Sequence, residues 1–290
     1  MGERRDDTMD AVAAEQVGRA TRVLAAADAL LITAGAGMGV DSGLPDFRGD
    51  AGFWRAYPAY AALGLNFAAM ANPRWFASDP TLAWGFYGHR LTLYRATRPH
   101  QGFAILKRWA ARMSRGAFVV TSNVDGHFQR AGFDPEDVCE AHGAIDWLQC
   151  TRPCGADLFP AGDIHIDVDA RTMRSSEPLP ACPSCGALVR PNILMFGDRE
   201  WDESRTLTQY ARLERWLNAT IPEGARLAVV ECGAGLAIPT IRALSERIAS
   251  YPGVTLVRIN PRDTAVPAGY IGLRLAALPA LRAIDEAMSR

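Results

Sequence analysis

Lysine is all but missing from this chain. Lys107 is the one lysine among 31 basic residues, so arginine carries the positive charge, a bias that GC-rich coding explains without a functional cause. An excess of either charge is missing too: 31 Lys and Arg stand against 32 Asp and Glu, a formal net charge of −1. So even a balance leaves no electrostatic footprint for DNA or an anionic membrane, and predicts no direct nucleic-acid binding. No apolar run comes near the roughly 20 residues that span a bilayer. The opening MGERRDDTMD carries both charge signs with no apolar stretch after it, which argues against a secretory signal. Asp6 stands where a myristoylation site needs Ser or Thr. These absences predict a cytoplasmic protein with no membrane partner. Cysteines number only six, and in a reducing compartment clustered ones read as metal ligands before disulfides. No internal repeat or low-complexity segment interrupts an ordinary composition, 49% hydrophobic and 22% charged, enough for one full core plus a smaller satellite domain.

What is present alternates. Residues 11–27 carry Val12, Val17, Ala20, Val23 and Leu24 at helical spacing. The apolar run ALLIT (29–33) follows and ends in the glycine-rich AGAGMG. Further buried-strand candidates are AFVVT (117–121), LAVVE (227–231) and VTLVRI (254–259), separated by helical patterns at 102–113, 204–217 and 240–250. A helix ends the chain. Alternation of this kind predicts an α/β fold, a doubly wound, Rossmann-like parallel sheet with helices on both faces. Two stretches break the rhythm. Residues 53–97 are rich in aromatics, Ala and Pro and read as a helical insertion, and residues 148–190 hold four cysteines and several prolines. Together they predict a small inserted module, leaving 11–52, 98–147 and 191–290 to the nucleotide-binding domain.

Cys150-x3-Cys154 and Cys182-x2-Cys185 form two close pairs. Pairs two to four residues apart close tight chelates, and four thiolates complete a tetrahedral zinc site with no position left for water. The spacing therefore predicts one structural Zn²⁺ in a zinc-ribbon-like module. Cys139 and Cys232, within or just after strand candidates, read as packed thiols.

Glycines after a first strand let the backbone turn tightly and approach a pyrophosphate. Here the spacing is not G-x-G-x-x-G, since Val40 stands at the last glycine, and DSGLPDFRG predicts a loop rather than a helix directly afterwards. A simple dehydrogenase is disfavoured. The whole string GAGMGVDSGLPDFRG (35–49), however, resembles the sirtuin cofactor loop G-A-G-x-S-x-x-S-G-I-P-D-F-R. Gly35, Ala36, Gly37, Ser42, Gly43, Pro45, Asp46, Phe47 and Arg48 match, while Gly39 replaces a serine and Leu44 an isoleucine. The resemblance implies an NAD site, with Phe47 shielding the nicotinamide-ribose bond and Arg48 meeting phosphate or ribose.

SNVDGHFQRAG (122–132) follows the second strand, where α/β sheets bind ligands. It is similar to the sirtuin T-Q-N-I-D-x-L-H-x-x-A-G, whose Asn and Asp hold the nicotinamide carboxamide; Asn123 and Asp125 inherit that role, with Ser122 in place of the ribose-contacting glutamine. His127 replaces a leucine and reads either as a new polar group in the site or as a packed or solvent-facing histidine, and Phe128 replaces a histidine. In Glu140-Ala141-His142-Gly143, His142 stands at the family's general base, which takes a proton from a ribose hydroxyl. GAGLAIPTIR (233–242) echoes the family's G-T-S-L-x-V-x-P, making Gly233, Ala234 and Gly235 cofactor contacts, although Ala234 and Gly235 replace hydroxyl residues; Asn260 matches an adenosine-side contact.

LVRPNILMFGD (188–198) resembles the segment that lines the sirtuin acyl-lysine tunnel and pairs with the substrate peptide by strand addition. Asn192, Ile193, Leu194 and Phe196 are its expected wall, and Asp198 stands for the usual Glu. Tyr87-x-x-Arg90 resembles the pair of the sirtuin branch that removes succinyl and malonyl groups, against the plainer reading of an exposed arginine on an amphipathic helix. The resemblance implies an NAD-dependent deacylase acting on acyl-lysine proteins or peptides, with nicotinamide and 2′-O-acyl-ADP-ribose as products. Ser122, Phe128 and the altered 233–239 segment motivate a rival, ADP-ribosyl transfer or NAD hydrolysis on the same scaffold. A non-catalytic NAD- or peptide-binding module is a third reading, disfavoured by Asn123, Asp125 and His142.

Overall fold

The structure is a computed structural model that describes residues 11–45, 49–222 and 224–290. The opening stretch with Asp6, and the cofactor-loop candidates Asp46, Phe47 and Arg48, lie outside the described residues. Contacts divide the chain into two compact units. The first takes residues up to Met38, His100–Val119 and Arg215–Arg290, and the second takes Gly39–Pro99 and Val120–Glu214.

The expected alternation is there. Helix α1 (Ala11–Ala26) leads into strand β1 (Ala29–Ala34), which is buried along its whole length. Helix α2 (Pro80–Ala96) and helix α3 (Gln101–Ala110) precede strand β2 (Ala117–Thr121). Strands β3 (Val138–Glu140), β4 (Gly143–Cys150), β5 (Phe159–Pro160), β6 (Val168–Asp169), β7 (Arg174–Ser175) and β8 (Val189–Ile193) follow. Helix α4 (Ser204–Thr220), β9 (Leu227–Cys232), helix α5 (Thr240–Ala249), β10 (Val254–Ile259), β11 (Ile271–Leu273) and helix α6 (Ala277–Met288) complete the chain.

The main sheet has the order β11-β10-β9-β1-β2-β3. Its β1–β9, β9–β10 and β10–β11 pairings are parallel, with Ala29 opposite Leu227 and Ala34 opposite Cys232. Strands buried on both faces read as near-continuous apolar runs, here ALLITA and LAVVEC, in which the buried Thr33 and Glu231 are bonded to Ser245 and Arg258. The chain runs outward from β1 through β2 to β3, then returns to β9 on the other side of β1. The order therefore reverses between β1 and β9, and the glycine turns 35–37 and 233–235 sit at the carboxyl ends of those two strands, where doubly wound sheets bind ligands.

In the second unit β4 pairs antiparallel with β5 and β8. The helical insertion is a chain of short helices ending in α2, which Asp79 caps through the Leu82 amide ahead of Pro80. Its aromatics form a core of their own: Phe53, Tyr57, Tyr60, Phe86 and Tyr87 are each at most 1% exposed. The same core gathers Leu44, Val124, Ile145, Leu148, Val189 and Ile193, so this unit takes in 39–52, 120–147 and 191–214 along with 53–97 and 148–190. Arg90 is an inward residue of α2, 7% exposed, and not an arginine on a solvated helix face. Among the described residues no helix is long and apolar enough to cross a membrane.

Candidate active site

In the first unit the two glycine turns pack backbone against backbone. A Cβ on Gly35 would stand 2.8 Å from Ala234 Cα, and one on Gly233 would stand 2.4 Å from the Gly37 carbonyl carbon. The Gly37 amide donates to the Gly233 carbonyl at 3.0 Å. Gly233 also has a φ of +66°. Glycine is thus required twice over at 233, by approach and by backbone angle. A single helical turn, Gly37–Val40, begins where a plain loop was expected, because the Met38 amide closes back onto the Gly35 carbonyl. Ala36 is exposed, Gly37 and Gly235 are half-buried and Ala234 is buried. Asn260 is fully buried. Its amide nitrogen donates to the Ala234 carbonyl at 2.9 Å, and its oxygen accepts from the Arg262 and Asp263 amides at 3.0 Å. Its side chain therefore sets the 233–235 turn from below. Gly233→Ala is expected to destabilise the protein by about 1–3 kcal/mol and weaken NAD binding. Thermal melts and NAD titration check it.

The second unit brings the catalytic candidates together. The Ala141 amide donates to the Thr121 carbonyl at 2.8 Å and the Ile145 amide to the Val124 carbonyl at 2.9 Å, so the His142 turn lies against the segment of Asn123 and Asp125. Ser122 and Asn123 are half-buried. The Asn123 amide donates to Thr121 Oγ1 at 3.0 Å. Asp125, 6% exposed, accepts the His127 amide at 3.0 Å, which shapes the turn through Gly126 at φ +66°. Burial pushes the Asp125 carboxyl up, against the His127 amide and the positive charges of Arg130 and Arg90. His127 is 1% exposed, packed inside and not solvent-facing. Phe128 is buried edge-on against Phe133, ring centroids 5.3 Å apart.

Gly143 follows His142 for a steric reason. Its φ is +75°, and a Cβ there would stand 2.0 Å from the Asn192 carbonyl oxygen of β8. The His142 carbonyl accepts the Leu194 amide at 3.0 Å, so the histidine turn is stitched to the end of β8. Burial pushes the imidazole of His142 below the ordinary histidine value, which keeps it neutral and able to accept a proton at neutral pH.

Ile193, which ends β8, is buried, while Leu194 and Phe196 beyond it present apolar surface, 39% and 42% exposed. Asn192 does not join this wall. Its amide donates to Gln149 Oε1 at 3.0 Å and to the Asp202 carbonyl at 2.8 Å. Arg190 and Asp198, both buried, pair at 2.7 Å and close the segment. On α2, Arg90 donates through Nε and Nη2 to the Tyr94 hydroxyl at 2.9 and 2.6 Å. Its guanidinium lies 5.2 Å from the rings of Phe86 and Tyr94 and 5.9 Å from Tyr87. The Tyr87 hydroxyl is buried and has no hydrogen-bond partner among the described residues.

The four cysteines converge. Cys150 Sγ lies 3.6 Å from Cys185 Sγ and Cys154 Sγ 3.8 Å from Cys182 Sγ, with all four sulfurs within 4.8 Å of one another. A Zn–S bond of about 2.3 Å puts tetrahedral sulfurs about 3.8 Å apart. The cluster is positioned to bind one zinc ion. Gly155 and Gly186, each just after the second cysteine of a pair, take φ of +74° and +70° and turn the chain back beneath the sulfurs. Cys139 and Cys232 are buried and lie outside this cluster.

Residues 35–221 match the Sir2 family. The chain belongs to the Sir2 family. It is 30% identical over 275 residues to an NAD-dependent protein deacylase of Aeropyrum pernix, covering 94% of this chain and 98% of that one. With an NAD-dependent protein deacylase of Methylococcus capsulatus it shares 32% identity over 271 residues, 90% and 92% of the two chains. A crystal structure of a Sir2 homologue in complex with NAD superposes with a TM-score of 0.67 at 25% identity, covering 99% of this chain and 96% of that chain. The Sir2 membership gives the site its cofactor, NAD, and the residues present suit it. In the first unit, Gly35 and Gly233 let the two turns at the strand ends approach backbone to backbone, as a pyrophosphate site requires.

This Sir2 chain carries several residues that motif reading passed over. Tyr94, four residues after Arg90 and so on the same helix face, was legible from spacing alone. Gln149 and Arg205, which brace β8 and β3, left no signal in the sequence because their partners are distant in the chain.

Proposed function

We propose that this Sir2-family enzyme removes acyl groups from lysine side chains of proteins, with NAD consumed and nicotinamide and 2′-O-acyl-ADP-ribose released. The carrying observation is the stitching of the His142 turn to the Asn123–Asp125 segment on one side and to the end of β8 on the other. The backbone of one histidine turn is thereby tied both to the segment that would read the nicotinamide and to the strand where an acyl-lysine peptide would add. NAD, when bound, supplies the ribose to which the acyl group passes. Asn123 and Asp125 hold the nicotinamide amide, and His142 takes the ribose hydroxyl proton. Gly35, Ala36, Gly37, Asp46, Phe47, Arg48, Ser122 and the 233–235 turn line the cofactor, with Asn260 supporting that turn. Ile193, Leu194 and Phe196 bound the acyl-lysine channel. Zinc on Cys150, Cys154, Cys182 and Cys185 is structural, since four thiolates leave no position for water.

The acyl groups in this reading include acidic ones, succinyl and malonyl. A buried guanidinium beside a phenol that lacks a partner suits a carboxylate, which would accept from both. Arg90→Met is then expected to lower kcat/KM for succinyl-lysine by about 10- to 100-fold relative to acetyl-lysine. Equal losses on both peptides would dismiss the acidic pocket. The overall reading is tested by mass spectrometry after incubation with NAD and acetyl-, succinyl- or longer acyl-lysine peptides. Acyl-ADP-ribose supports it. Free ADP-ribose or an ADP-ribosylated protein, with no deacylated peptide, overturns it in favour of transfer or hydrolysis.

A further inference from the structure

β3 is three residues long and lies at the edge of the sheet, yet it carries the turn that presents His142. A short edge strand has few ladder bonds to hold it, and its outward backbone groups lack a strand partner. Here side chains from the start of α4 take their place. Gln209 Oε1 accepts the Glu140 amide at 2.9 Å, and Thr206 Oγ1 donates to the Glu140 carbonyl at 3.1 Å. Arg205 Nη2 pairs with the Glu140 carboxylate, which is 2% exposed. The Arg205 guanidinium also lies over the Trp147 ring, 4.9 Å from its centroid, on the strand that leaves the histidine turn. Amide, carbonyl and carboxylate of one residue, two positions before His142, are thus all held by one helix turn.

That turn begins at Ser204, directly after the segment running from β8. Asp202 accepts from Asn192 through its carbonyl and donates its amide to Gln149, and Gln149 donates to the Glu200 carbonyl. The strand proposed to take the substrate peptide and the helix turn that grips Glu140 are therefore joined by one braced loop.

We infer that Glu140 and Arg205 are positioning residues for His142, fixing the imidazole through the edge strand rather than touching substrate. The inference rests on His142 being the base. Proton abstraction tolerates little misplacement, since about 1 Å can cost about 10²-fold in rate. Glu140→Gln keeps a side-chain oxygen that can accept from Arg205 but removes the negative charge that pairs with it. It is expected to lower acyl-ADP-ribose formation by about 10²-fold and leave the KM for NAD unchanged. Exchange of labelled nicotinamide, which precedes the action of the base, should persist. In the protein without NAD, the His142 imidazole NMR signal should move and its titration shift. Arg205→Met should reproduce the pattern, and the double variant should be no worse than either single one.

Unchanged turnover and an unmoved His142 signal in Glu140→Gln would overturn the inference. So would equal losses of exchange and deacylation, which mark a general structural role. Should Glu140→Gln fold poorly, Gln209→Leu removes only the amide bond and must show the same split on a smaller scale. Failure of the base assignment itself is read separately: His142→Ala would then deacylate normally.

Discussion

His142→Ala is expected to abolish measurable deacylation, a loss of about 10²–10⁴-fold for a positioned base, while NAD titration stays near that of the parent protein. The selectivity of the effect follows from where the residue sits. His142 lies on a turn of the second unit, held by the Thr121 and Leu194 backbone, whereas the glycine turns proposed for the pyrophosphate belong to β1 and β9. Normal turnover in this variant would remove the base assignment. The pH profile carries a second reading. Burial holds His142 below its ordinary value of 6.5, so the acid limb of kcat/KM for the parent protein should fall below that pH. The sign for stability follows as well. A histidine that resists protonation when folded is neutral in both states above 6.5, and it begins to disfavour the folded state as pH falls below that value.

Loss of zinc is the second large effect. Cys182→Ser removes one of four converging thiolates, and a structural zinc contributes about 10–16 kcal/mol of binding that becomes folding energy. Only part of that is lost with one ligand, yet several kcal/mol at about 2–4 °C each lowers Tm by about 10 °C or more. Deacylation is expected to fall with it, because β4, which follows the His142 turn, runs to Cys150, and β8, which leads into the segment proposed to take the peptide, follows the Cys182–Cys185 pair. A strong chelator should reproduce the fall in Tm, with one zinc per chain released by metal analysis. A zinc-free chain that melts and turns over normally would refute the structural metal.

Much of this was open to reading before any coordinates. Local chemistry is written locally: the cysteine pairs sit four and three residues apart, the glycine loop is continuous, and the histidine precedes a glycine that backbone geometry demands. Helix and strand spans came within a few residues because burial on one or both faces imposes its period on the chain. Arg90 was harder. Helical spacing cannot tell a solvated arginine from one enclosed by aromatics, and only packing against Phe86, Tyr87 and Tyr94 decides it. His127 was ambiguous for the same reason, and only the fold shows that it is buried rather than solvent-facing.

By itself the sequence determined the family, the cofactor, the four-cysteine cluster and the alternation of helices and strands, since each rests on contiguous motifs or on periodicity. Tertiary structure alone decided that Asn192 braces β8, that Asn260 holds the 233–235 turn, and that Glu140 is gripped by α4. Each of these depends on a hydrogen bond between residues 26 to 69 positions apart, and such partners are chosen by the fold and leave no local pattern to read.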